Sequence, residues 1–265
     1  MTAGSLVRPS KSSKPAVRRL LRTPSYEEAL ARLQFLVEHG SRLGLVTGGS
    51  GVGKTTVLES FAEELRRASC LTAVVNAVGL EPEELLWSIA VKLKAHVESD
   101  WNLFQLWRAL NDRFTELRFL REQAVVLIDD AALASSDVLV HLRRLLQSDS
   151  AAQARLSVVV SATPEGAARL GRGLLDLVDL KIDLPAWSSA EARALVEATG
   201  ETLRPIRFSA AAIERLHELA GGAPRSILRL AELARLAAQA DGDDFVDSEI
   251  VEGVYTELSV QSRAG

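Results

Sequence analysis

The chain has 265 residues, is 47% apolar and 25% charged, and carries a formal net charge of −4. That length and apolar content suffice for one or two packed globular domains, and no run approaches the roughly 20 uninterrupted apolar residues that a bilayer helix needs. The single cysteine, Cys70, excludes an intramolecular disulfide and fits a reducing, cytoplasmic compartment, where it reads as a small buried hydrophobe. Charge is uneven: Arg8, Lys11, Lys14, Arg18, Arg19 and Arg22 give the first 26 residues +6 with no acidic residue, leaving −10 for the rest. Such a Ser/Pro/Lys-rich stretch cannot bury enough surface to fold alone, so residues 1–22 are predicted to be a disordered basic arm. It is either a solvated terminus or a tether to DNA or another acidic partner. Arginines within Ala16–Arg22 interrupt any secretory signal core.

In chain order, Ser25-Tyr26-Glu27-Glu28 has the form of a capping box, and Leu30, Leu33, Leu36 and Val37 follow at helical spacing up to Gly40. Leu43–Val46 reads as a first strand, and Val57, Leu58, Phe61 and Leu65 as the apolar stripe of the next helix. Leu71–Val75 is a β-branched run that predicts a second strand, and Pro82 opens a helix with Leu85, Leu86, Ile89 and Leu93 on one face. Trp101, Phe104, Leu106 and Leu110 continue a helical pattern to about Arg121, with the aromatic residues read as core packing. Ala124–Ile128, closing on Asp129-Asp130, looks like a central strand buried on both faces. A helix over Val138–Leu146, a fourth strand at Leu156–Ser161 and a fifth near Val178–Leu184 follow. Strands alternating with helices predict an α/β domain over residues 23–185, a parallel sheet with helices on both faces. Past Pro185 the β signal stops. Helical runs near 189–199, 209–220, 224–240 and 247–258, punctuated by Gly200, Gly221-Gly222 and Gly242, predict a small all-helical lid domain over residues 186–260.

The chemistry concentrates at Gly48-Gly49-Ser50-Gly51-Val52-Gly53-Lys54-Thr55-Thr56, which fits G-x-x-x-x-G-K-[ST] between a strand and a helix. Glycines let backbone N–H groups turn inward around phosphates, Lys54 adds positive charge, and the Thr55 hydroxyl is suited to Mg²⁺. The positive end of the following helix faces the same anion. Asp129 is placed to hold the metal with Thr55, and Asp130 to polarise an attacking water. Asp130 is one methylene shorter than the glutamate more usual there, which leaves slow hydrolysis open. Ser161 and Thr163 end the fourth strand with hydroxyls that could sense the γ-phosphate, position water, or close a turn. Arg225 follows Pro224 at a helix start and could reach the phosphates. No N-K-x-D guanine-reading motif follows the strands, and His39, His96, His141 and His217 lack metal-ligand spacing.

Together these motifs resemble the AAA+ ATPases, most closely the branch holding the general secretion pathway ATPase GspA/ExeA and the transposition ATPase TniB. The resemblance covers about residues 22–258. It implies ATP and Mg²⁺ as cofactors, a sensor 1 role for Ser161 or Thr163, and a sensor 2 role for Arg225, since Gly222-Ala223-Pro224-Arg225-Ser226-Ile227 looks like the family's G-x-P-R-x-[IL]. It also implies a protein partner and an ATP-dependent homo-oligomer. Two departures stand out. Asp130 replaces the Walker B glutamate, and Leu177-Val178-Asp179 occupies the region where the family usually places an arginine finger. Arg143, Arg144, Arg169 and Arg172 are substitutes by location only. With no membrane span or peptidoglycan-binding extension, the chain is expected to be at most the ATPase module of the secretion version. The expected activity is Mg²⁺-dependent ATP hydrolysis coupled to a partner. The alternative is a weakly hydrolysing switch, DNA-associated as in transposition regulators.

Overall fold

The computed structural model describes residues 22–148, 155–199 and 206–261. The predicted basic arm, up to residue 21, lies outside the described residues. The chain divides into two compact units, one spanning Ser25–Ala186 and one taking in Trp187 onward.

The first unit runs α1 (Pro24–Glu38), β1 (Leu43–Gly48), α2 (Lys54–Arg67), β2 (Leu71–Asn76), α3 (Pro82–Lys92), α4 (Leu103–Leu120), β3 (Ala124–Asp129), α5 (Ser136–Ser148), β4 (Leu156–Ala162), the single turns α6 (Pro164–Ala167) and α7 (Arg172–Leu175), and β5 (Leu180–Leu184). The five strands form one parallel sheet in the order β2-β3-β4-β1-β5. Every residue of β1, β3 and β4 is buried, because helices cover both faces. This explains why their sequences run continuously apolar instead of alternating. Successive side chains still point to opposite faces. Val125 and Leu127 join Leu33, Leu36, Val57 and Phe61 of α1 and α2, whereas Val126 and Ile128 join Ile89, Leu110, Phe114 and Leu142 of α3, α4 and α5. Gly44 lets α1 close on β1, since a Cβ there would lie 2.6 Å from Leu36 Cδ1.

Two local expectations change. Helix α1 starts at Pro24, so Ser25–Glu28 lies inside the first turn rather than capping it. Proline is favoured at the first helical position, where a missing N–H costs nothing. Phe104 is 76% exposed, whereas Trp107 is buried. Phe104 precedes Leu106 by two residues, about 200° around the helix and away from the packed stripe.

The second unit comprises α8 (Ser189–Ala198), β6 (Arg207–Phe208), α9 (Ala210–Ala220), α10 (Pro224–Asp241), β7 (Phe245–Val246) and α11 (Ser248–Gln261). It is therefore not all-helical: β6 and β7 form a two-residue parallel pair, with Phe208 opposite Val246. Strands of two residues have no periodicity to read. The capping box at Ser188 and Glu191 is formed on both sides, and Gly221 ends α9 in the left-handed conformation at φ +57. Leu195, Ile213, Leu216, Ile227, Leu230 and Val246 form the core of this unit.

Candidate nucleotide-binding site

The carboxyl end of β1 delivers the chain into Gly48–Thr56. A Cβ on Gly48 would stand 2.9 Å from the Leu184 carbonyl oxygen of the paired β5, so the loop leaves the sheet through a gap that a larger residue would close. Gly51 (φ +78) and Gly53 (φ +115) take left-handed conformations that L side chains rarely adopt. Gly53 is the N-cap of α2 and supplies no side-chain acceptor. No side chain therefore caps the first N–H groups of this 14-residue helix, the arrangement a helix needs at its amino end to take an anion.

Lys54 is only 7% exposed. Its ammonium donates to the Gly48 carbonyl at 2.8 Å and the Gly49 carbonyl at 3.0 Å, which holds the charge against the loop itself. The Thr55 hydroxyl donates to Asp129 Oδ2 at 2.6 Å. Asp129, the last residue of β3, is buried, and its other oxygen accepts from Ser161 Oγ at 2.5 Å. Ser161 in turn accepts the backbone N–H of Asp130 at 2.9 Å. Three sequence-distant segments are thereby joined because β3 lies next to β4, and β4 next to β1.

Asp130 leaves the strand at φ +53. Asn76, which pairs with Asp129 across β2 and β3, donates from Nδ2 to Asp130 Oδ2 at 3.4 Å while its Oδ1 accepts from the Val78 N–H at 2.9 Å. Asn76 was not singled out from the sequence. The available signal was a lone polar residue closing the apolar run Leu71–Val75. A second unforeseen pair is Thr47, whose hydroxyl donates to Asp183 on β5. That bond and the neighbouring Lys181 hold the Asp183 carboxyl below the usual carboxylate range.

Thr163 is the N-cap of α6, and its Oγ1 accepts the Gly166 N–H at 3.0 Å. Arg225 is exposed on the first turn of α10, in the second unit. Arg143, Arg144, Arg169 and Arg172 are exposed, with the Arg144 guanidinium over the Trp107 ring at 4.3 Å. Cys70 is partly exposed instead of fully buried, and burial pushes its thiol up to about 11.

The donor set fits a magnesium-bound nucleoside triphosphate. Mg²⁺ prefers hard oxygen ligands and keeps several waters, so one carboxylate and one hydroxyl beside the phosphates suffice. Asp129 and Thr55 already stand within one hydrogen bond of each other. Among the described residues, no helix is long and apolar enough to cross a membrane.

Residues 37–170 match the family model described as AAA domain. General secretion pathway protein A of Aeromonas hydrophila is 29% identical over 245 residues, covering 89% of this chain but 44% of that protein. This chain therefore spans less than half of that relative's length. Among solved structures, the RuvB Holliday junction branch migration motor of Thermotoga maritima aligns with a TM-score of 0.61 at 18% identity, over 90% of this chain and 73% of that one. The ORC1 protein of Aeropyrum pernix, solved in complex with DNA, gives 0.63 at 19% identity over 91% and 69%. At such identities these two likenesses speak to the fold, which is the P-loop AAA+ arrangement. The chain belongs to the AAA domain family and is a P-loop AAA+ ATPase.

Proposed function

We propose that this ATPase binds ATP with Mg²⁺ at Gly48–Thr56 and Asp129, hydrolyses it using Asp130, and passes its nucleotide state to a protein partner. The observation that carries this is the Thr55–Asp129 contact of 2.6 Å beside the buried Lys54 ammonium. Phosphoryl transfer asks little covalent chemistry of a protein, so catalysis rests on positioning and charge. Backbone N–H groups of Gly49–Thr56 would cradle the phosphates. Lys54 would exchange its two loop carbonyls for β- and γ-phosphate oxygens. Asp129 and Thr55 would hold Mg²⁺, which supplies charge neutralisation at the β- and γ-oxygens when bound. Asp130 would accept the proton of the attacking water, and Arg225 would serve as the sensor of the second unit.

Asp130 also supports a second reading, a slowly hydrolysing switch. A general base must come within hydrogen-bond reach of its proton, and this carboxylate is both one methylene short and engaged by Asn76. We favour turnover, because Asp129 and Asp130 end the strand beside the phosphate loop. Secretion enters only through the 29%-identical general secretion pathway relative, and DNA only through the ORC1 protein solved in complex with DNA and the basic arm. A cytoplasmic ATP-dependent assembly acting on a protein or DNA partner is the role that fits all three. Titration with fluorescent ATP tests the binding half: Mg²⁺ should tighten binding to the wild type, and Asp129→Ala should remove that gain. An affinity indifferent to Mg²⁺ in the wild type would contradict the metal assignment.

A further inference from the structure

Four non-glycine residues among those described have positive φ: Ser69, Lys94, Arg121 and Asp130. The first three stand at the carboxyl ends of α2, α3 and α4, where a left-handed residue commonly stops a helix. Asp130 follows a strand. Its φ of +53 therefore lacks the helix-stop explanation and must be held by its surroundings.

The Asp130 carbonyl accepts the Leu133 N–H at 2.9 Å in the one-turn 3-10 helix Ala131–Leu133, and the side chain that holds its N–H is Ser161. This side chain is completely buried, and its hydroxyl works in two directions: Oγ accepts the Asp130 N–H at 2.9 Å and donates its proton to Asp129 Oδ1 at 2.5 Å. A hydroxyl has one proton to give. With that proton on a buried carboxylate, Ser161 has none to offer a phosphate oxygen. The same atom thus fixes the metal-side carboxylate and the backbone that aims its neighbour. In a continued strand, Asp129 and Asp130 would project to opposite faces; the left-handed turn at Asp130 breaks that alternation. Asn76 touches the Asp130 carboxylate from the other side, but at 3.4 Å, too long to fix a backbone conformation.

We propose that Ser161 is a positioning residue, a two-way clamp that orients Asp129 and imposes the left-handed backbone of Asp130, and that it does not sense the γ-phosphate. This rests on the reading of Asp129 as the metal-holding residue and Asp130 as the base. It goes beyond that reading by assigning the structural cause of their alignment.

The test compares wild type, Ser161→Ala and Ser161→Thr by three measurements: amide exchange at Asp130, the Mg²⁺-dependent gain in fluorescent-ATP affinity, and steady-state phosphate release. In the wild type the Asp130 amide should be protected. In Ser161→Ala it should exchange at least about tenfold faster, and the Mg²⁺ gain and kcat should each fall about tenfold, the worth of one charge-assisted hydrogen bond. Ser161→Thr keeps a hydroxyl and should restore amide protection. Should the buried methyl of threonine unfold the protein, the wild-type amide exchange decides on its own. A rapidly exchanging Asp130 amide in the wild type would overturn the clamp. So would a Ser161→Ala protein in which the Asp130 amide protection and the Mg²⁺ gain are both unchanged. If the wild type releases no phosphate, hydrolysis fails while amide exchange and Mg²⁺ dependence still judge the clamp.

Discussion

The two ends of the same parallel sheet are built from similar residues but wired differently. At the amino ends, polar side chains close onto backbone carbonyls: Ser157 Oγ donates to Ser41 at 2.8 Å, Gln123 Nε2 to Val37 at 2.5 Å, and Cys70 Sγ to Gln123 at 3.3 Å. These bonds tie loop and helix-end carbonyls to side chains. At the carboxyl ends, side chains bond to one another as well as to the backbone. Thr55 and Ser161 converge on Asp129, and Asn76 reaches Asp130. A carboxylate accepting from hydroxyls can trade those partners for a metal or a water, whereas a capped carbonyl has nothing to trade. The difference separates the end that holds the fold from the end where we propose the chemistry, although both are polar and largely buried.

Substitutions at the two ends should diverge. The largest effect belongs to Lys54→Ala, which removes the charge in the phosphate loop. Fluorescent-ATP affinity should drop by more than about a hundredfold, in line with the loss of hydrogen bonds from a charged group. Asp130→Asn keeps the shape but not the base. Turnover should fall by about a hundredfold, while titration shows ATP affinity within about twofold of the wild type. At the other end, Ser157→Ala deletes one buried hydrogen bond and should cost about 1 kcal/mol in a denaturant melt, with phosphate release unchanged. A drop in turnover there beyond the loss of folded protein would erase the distinction between the two ends.

The smallest effect concerns Cys70. Its thiol ionises near 11 in the folded chain, above the unfolded value, because burial disfavours the thiolate. The folded state thus favours the neutral form. Its stabilising contribution is fully present below the unfolded pKa and is lost as pH rises through the window from about 9 to about 11. Iodoacetamide labelling of Cys70 should be slow at pH 8 and accelerate up to about pH 11. Rapid labelling at pH 8 would show that the amino end is open.

How much was legible in the sequence follows the same division. The buried strands were readable because covering both faces forces uninterrupted apolar runs, as in Ala124–Ile128. The phosphate loop was readable because its chemistry demands glycine and lysine at fixed spacing. Elsewhere, local pattern fails where tertiary neighbours decide. The β6–β7 pair has two residues per strand and leaves no period. Phe104 reads as core from its place in an apolar helical run with Leu106 and Leu110, but its helix phase turns it outward. Asn76 enters the site only because β2 and β3 align it with Asp129, a register that no one-dimensional pattern contains. Ser161 was legible as a hydroxyl at a strand end, whereas its attachment to the Asp130 N–H required the left-handed turn to be seen.

The central claim is that the carboxyl end is a working Mg·ATP site and more than a binding loop. Steady-state phosphate release, with and without Mg²⁺, from the wild type, Lys54→Ala and Asp130→Asn tests it most directly. The account predicts Mg²⁺-dependent release by the wild type that both substitutions reduce to background. ATP bound tightly by a wild type whose release is no faster than that of the two variants would contradict it.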